Sequence, residues 1–229
     1  MISILKSHPF FADKKIQSCE LLENQGYCNE NYLVIASETK YIVRKLLRDD
    51  VDRELEWKVQ RLAYDISITA EPLVFDREQG FMVFAFLEGR HKDKLDKNDV
   101  AYLAKVLQKL HAIKVEQAPI NLELKNKTKE TIKAFESIEK YPKEYVLCHN
   151  DLNPKNIFFS NDIKLIDWEY TGVNDRYFDL ACVCVEFCLD EGMQKVFLNA
   201  YFEGDYVVDK LEAYKILYAQ LCKEWFENM

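Results

Sequence analysis

The chain has 229 residues, 48% of them hydrophobic, enough to bury one large core or two smaller ones. It carries 39 acidic and 31 basic side chains, for a formal net charge of −8. That balance argues against nucleic acid or an anionic membrane as the main partner, since both select a basic face, and it permits a cationic one. Seven cysteines occur without a CxxC spacing or a paired framework, the pattern of a reducing compartment, so a cytoplasmic protein is expected. Lys6 and His8 interrupt the short apolar stretch at the N-terminus, no basic segment leads into it, and no run approaches the length of a membrane span.

Taken in order, residues from about Ile16 to Phe86 read as strands with one helix. Tyr32 to Ala36 and Tyr41 to Leu47 alternate like a hairpin across Ser37-Glu38-Thr39-Lys40. Val51 to Tyr64 reads as a helix with a stripe at Val51, Leu55, Val59 and Leu62. Pro72 to Phe75 and Phe81 to Phe86 follow as two more strands, and a boundary is expected near residue 88, giving lobes 1–88 and 89–229. Beyond it, Val100 to Ile113 carries an apolar face at Leu103, Val106, Leu107 and Leu110, with His111 read as a capping or packing residue. Residues 119–129 read as a loop, Thr131 to Tyr141 as a helix, and Phe178 to Leu189 as a helix apolar nearly all round. Glu191 to Phe202 and Val208 to Phe226 read as closing helices. Cys184 and Cys188 would share a face of the apolar helix; with no histidine nearby they are read as small buried hydrophobes rather than metal ligands.

Between the middle helices lies the most informative stretch. Val146-Leu147-Cys148 runs into His149, Asn153-Pro154 breaks any helix, and Asn156 to Phe159 and Ile163 to Ile166 alternate as paired strands across Ser160-Asn161-Asp162. Asp151 thus precedes a β-hairpin and Asp167 follows it. Phosphoryl transfer needs a carboxylate to orient and take the proton of an attacking hydroxyl, and oxygen ligands to hold Mg²⁺ against nucleotide phosphates. Asp151 suits the first task. Asn156 and Asp167 suit the second, because one amide oxygen and one carboxylate leave several metal positions for phosphate and water.

The order His-x-Asp-x-x-x-x-Asn, hairpin, Asp is shared with protein kinases. The three blocks His149-Asn150-Asp151-Leu152, Ile166-Asp167-Trp168-Glu169-Tyr170 and Asn174-Asp175-x-x-Phe178-Asp179-Leu180-Ala181 resemble the choline/ethanolamine kinase family, within the aminoglycoside-phosphotransferase-like group. That resemblance implies an α+β, protein-kinase-like two-lobed fold: a small β-rich N-lobe that covers the nucleotide, and a larger, mostly helical C-lobe with a catalytic β-hairpin. It implies ATP as co-substrate with Mg²⁺, and nucleotide binding by Gly26 and Asn29 in the first turn and by Arg44, aimed by Glu56. It makes His149 and Asp179 structural supports of the catalytic loop. It places the acceptor against Asn153, Tyr170, Glu186 and Trp225, with Cys222 where the family has the first Trp of a Trp-x-x-Trp pair. Aromatic faces beside a carboxylate suit a quaternary ammonium, so choline is the leading acceptor expected. Ethanolamine, thiamine and aminoglycosides are the same-chemistry rivals, and a catalytically silent nucleotide- or amine-binding module is the rival from another class.

Overall fold

A computed structural model describes residues 1–23 and 29–227. The chain divides into two compact units, Met1–Glu88 and Gly89–Met229. Gly26 lies outside the described residues.

The first unit is an antiparallel sheet of β1 (Ile16–Leu21), β2 (Asn29–Ala36), β3 (Thr39–Leu46), β4 (Pro72–Asp76) and β5 (Phe81–Ala85), in the order β1-β2-β3-β5-β4. The β2–β3 hairpin turns on Ser37 and Glu38, both at positive φ (47° and 67°), the handedness that matches the twist of paired strands. One face buries Val34, Ala36, Tyr41, Val43, Phe81 and Val83 together with Leu5 and Phe11. Leu5 belongs to a short N-terminal helix, α1 (Ile2–Ser7), whose six residues are too few to display a helical period in the sequence. The opposite face packs Met82, Phe84 and Ala70 with Trp57 of α2 (Arg53–Asp65).

Two sequence expectations for α2 are corrected. The helix starts at Arg53 rather than Val51, because the Asp52 side chain accepts from Leu55 N–H and caps it. Its fully buried side chains are Glu56, Val59, Gln60 and Ala63, so of the expected stripe only Val59 is fully covered. Two polar groups can occupy that face because both are satisfied. Glu56 is ion-paired, and Gln60 Nε2 donates to Thr69 Oγ1 at 2.9 Å and to the Ala70 carbonyl at 2.8 Å.

The second unit contains α3 (Lys97–Ala112), α4 (Lys129–Ile138), α5 (Arg176–Glu186), α6 (Glu191–Phe202) and α7 (Val208–Glu227), with α3 packed on α6, and α4 and α5 on α7. Asp96 and Thr128 begin α3 and α4 with capping boxes. Two small antiparallel pairs complete it, β6 (Tyr145–Cys148) with β9 (Gly172–Asp175), and β7 (Ile157–Phe159) with β8 (Ile163–Leu165). β9 was not anticipated, since Gly172-Val173-Asn174-Asp175 has neither alternation nor β-branched weight. Helix α5 ends at Glu186, short of the expected Leu189, and Cys188 stands exposed at φ 48°. Cys184 and Cys188 therefore share no helix face.

Candidate active site

Three segments of the second unit converge on Ile166. Its N–H donates to the Asn156 carbonyl at 2.9 Å, and its own carbonyl accepts from His149 Nε2 at 2.9 Å. The loop from β6, the hairpin entrance and the residue preceding Asp167 are thereby fixed together. The His149 ring also lies against Trp168, centroids 4.7 Å apart. The backbone conformation at two positions is unusual: Asn150 (φ 66°) and Asp167 (φ 67°) are left-handed without being glycine, and such strain persists only where surrounding bonds hold it.

Those bonds are present at Asn150. Asp179, fully buried on α5, accepts from His149 N–H at 2.8 Å on one oxygen and from Asn150 N–H at 2.8 Å on the other. The Asn150 side chain donates to the Tyr170 carbonyl and accepts from Asn174 Nδ2, each at 2.9 Å. Asp179 is held from behind by His111 Nε2 at 3.1 Å, whose Nδ1 meets Tyr201 OH at 2.6 Å. His111 is thus a member of a buried polar chain rather than a cap. His111, Cys148 and Asp179 present potential metal-ligand atoms within 4.8 Å of one another. Asp179 already serves three donors there, and burial pushes the Cys148 thiol well up, so the cluster reads as a support.

Within this frame Asp151 accepts from Asn153 Nδ2 at 3.0 Å and from Asn156 Nδ2 at 2.7 Å, while Asn156 Nδ2 also reaches the Asp151 carbonyl at 2.9 Å. With its nitrogen committed to Asp151, the Asn156 amide has only its oxygen to offer a cation. Burial raises the Asp151 carboxyl above its ordinary value. The Asn153 and Asn156 amides and His149 oppose the rise, and the neighbouring Asp167 adds to it. The site therefore holds two interacting carboxylates and one amide oxygen, a hard, all-oxygen donor set of the kind Mg²⁺ takes.

A second group lies on α5 and α7. Tyr218 O–H donates to Glu186 Oε1 at 2.8 Å. Burial raises the Tyr218 phenol strongly, with the Cys182 and Cys222 thiols and Glu186 adding to it, so it stays a neutral donor. Burial also raises Cys222, which feels the charges of both Glu186 and Asp151. Cys182 links the two groups, because its sulfur accepts from Leu152 N–H, the residue after Asp151, at 3.1 Å. Trp225, half-buried and edge-on to Phe226 at 5.1 Å, follows Tyr218 by seven residues and so shares its face of α7. Tyr170 enters the bonding pattern through its carbonyl. Tyr218 and Cys182 were missed from sequence; only their helical spacing from Cys222 and Glu186 could have flagged them.

In the first unit Arg44 NH1 meets Glu56 Oε1 at 2.8 Å, both nearly buried, which is the expected ion pair. Arg44 Nε reaches Asn31 Oδ1 at 3.3 Å. Asn29, expected to face the nucleotide, is buried and accepts from Arg53 NH2 at 3.0 Å.

Residues 120–214 match the phosphotransferase enzyme family. Two Haemophilus influenzae relatives, each named Protein LicA, are 24% and 25% identical over 205 and 202 residues, covering 77% and 76% of this chain. The chain spans 60% of the first relative's length and 76% of the second's. Ethanolamine kinase 1 of Mus musculus is 38% identical over 77 residues, 31% of this chain and 20% of its own. Among solved structures, choline kinase LicA from Streptococcus pneumoniae superposes with a TM-score of 0.83 at 22% identity, covering 99% of this chain and 89% of that one. That likeness establishes the protein-kinase-like α+β fold. Among the described residues, no helix is long and apolar enough to cross a membrane.

Proposed function

We propose that this chain, whose residues 120–214 match the phosphotransferase enzyme family, is an ATP-dependent kinase of the choline/ethanolamine kinase type that phosphorylates the hydroxyl of a small cationic amino alcohol, with choline the preferred acceptor. The observation that carries the reading is the Asp151–Asn156–Asp167 group, with Asn156 buried, both carboxylates half-buried and interacting, and the chain held in a left-handed conformation at Asn150 and Asp167. Asp151 orients the acceptor hydroxyl and takes its proton. Its bonds from Asn153 and Asn156 keep the carboxylate from swinging away, the fixed geometry that converts binding into rate. Asn156 and Asp167 would hold Mg²⁺, which when bound would neutralise charge on the nucleotide phosphates. Arg44, aimed by Glu56, is the cation read as binding the nucleotide phosphates.

Choline is supported by charge and by aromatic carbon. Glu186 supplies the anion and Trp225 a ring, which suit a trimethylammonium group that cannot donate an N–H bond. Cys222 favours the second reading, ethanolamine, because a thiol stands where a second ring would complete the cage. A loose preference follows. Cys222→Trp should lower the choline KM severalfold and move the ethanolamine KM little, the added ring supplying about 0.5–2 kcal/mol of cation–π attraction. Trp225→Ala should weaken choline most. The comparison is kcat/KM for both amines in wild type and both variants; an unchanged choline-to-ethanolamine ratio in Trp225→Ala would remove α7 from the acceptor wall. ADP formation measured side by side with choline, ethanolamine, thiamine and an aminoglycoside tests the substrate class.

The metal assignment has its own test. Asp167→Ala should abolish the gain in ADP affinity that Mg²⁺ confers, leaving metal-free ADP binding within about twofold, because only the metal-dependent part passes through this carboxylate. Calorimetry with and without Mg²⁺ reads it directly, and an undiminished Mg²⁺ effect would reassign Asp167.

A further inference from the structure

Glu56 is shared. Its Oε1 takes Arg44 NH1 at 2.8 Å, and its Oε2 takes Arg53 NH1 at 2.7 Å, from one turn earlier on the same helix. Arg53 NH2 continues to Asn29 Oδ1 at 3.0 Å, and Arg44 Nε to Asn31 Oδ1 at 3.3 Å. Asn29 and Asn31 are two apart on β2, hence on one face of the sheet, and Asn31 stands opposite Arg44 in the β2–β3 register. Five side chains therefore form a ring, Asn29–Arg53–Glu56–Arg44–Asn31, that β2 itself closes.

The ring matters because of what a carboxylate can do with only one oxygen engaged. Bonded to Arg44 alone, Glu56 could turn about its last torsion and exchange oxygens, and the Arg44 guanidinium would follow. Bonded on both sides, it cannot turn without breaking the second ion pair. Arginine is a long side chain with much rotamer freedom to lose, so a cation that is already fixed binds an anion more tightly than one fixed only on binding.

We infer that Arg53 is a positioning residue for the nucleotide polyphosphate: it acts through Glu56 to hold Arg44 in its binding pose. The inference rests on the reading of Arg44 as a phosphate-binding cation and adds a residue to it. Arg53 itself need not touch the ligand, and its partners on Glu56 and Asn29 are those described above.

The test is a double-mutant cycle read with adenosine, AMP and ADP by calorimetry. Arg53→Gln should weaken ADP about tenfold and leave adenosine and the acceptor KM within about twofold. Arg53→Lys, which can reach Glu56 but cannot also bond Asn29, should recover part of the loss. In an Arg44→Gln background, Arg53→Gln should cost less than about twofold further, because an effect exerted only through Arg44 has nothing left to act on. Unchanged ADP affinity in Arg53→Gln, equal losses for adenosine and ADP, or full additivity with Arg44→Gln overturns the proposal. If wild type binds ADP no more tightly than adenosine, the phosphate-binding reading of Arg44 falls and takes this one with it.

Discussion

Asp151→Asn is expected to lower kcat by about a thousandfold with little change in nucleotide affinity or melting temperature. The substitution keeps the volume and one acceptor oxygen but removes the group that takes the hydroxyl proton, a function with a typical worth of about 10²–10⁴ in rate. Stability should hold because two effects oppose each other. The amide can accept from only one of Asn153 and Asn156, leaving the other facing an NH₂ at a cost of about 1 kcal/mol. Against this, burial raises the carboxyl's folded-state pKa, so its contribution to stability is present below the ordinary Asp pKa and lost as pH rises past the raised value. At neutral pH the variant sheds a desolvated charge that was working against the fold. Single-turnover kinetics beside thermal melts would read both quantities. A loss of stability large enough to account for the lost activity would sink the catalytic assignment.

The features legible in the sequence were those whose chemistry is local. Asp151, Asn156 and Asp167 could be picked out because a short hairpin fixes their spacing along the chain, and the fold brings Asn156 onto Asp151. The β2–β3 hairpin and helices α3, α6 and α7 could be read because period and turn residues are properties of neighbours. What could not be read depends on partners distant in sequence. The apolar stripe of α2 pointed at Leu55 and Leu62, but Gln60 is buried by bonds to Thr69 and Ala70, and Glu56 by a strand residue twelve positions earlier. β9 is a strand only because β6 pairs with it. Tyr218 looks like any aromatic residue on an apolar helix until Glu186, 32 residues away, is seen to accept its hydrogen bond. Asn29, expected to bind nucleotide from the first turn, is the first residue of β2, and its side chain accepts from Arg53, 24 positions later.

Asp179→Ala should cost more stability than any other single change to the site and should also slow turnover. Three N–H groups, from His149, Asn150 and His111, lose their acceptor at a position with no water access. Each buried donor left without its acceptor costs about 1–3 kcal/mol, a total that in a chain of this size lowers the melting temperature by roughly 10 °C. The kinetic effect has a separate cause. Asn150 at φ 66° sits in a conformation that costs an ordinary residue about 1–3 kcal/mol, and its N–H bond to Asp179 is one of the bonds that hold it there. Freed, the loop relaxes, and Asp151, the next residue, moves off the acceptor hydroxyl. At a temperature well below the melt, kcat should fall about a hundredfold while ADP affinity changes little, and Asp179→Asn, which retains one acceptor oxygen, should lie between. A variant that melts early yet turns over at the wild-type rate in the cold would show that Asn150 keeps its conformation through its side-chain bonds to Tyr170 and Asn174 alone.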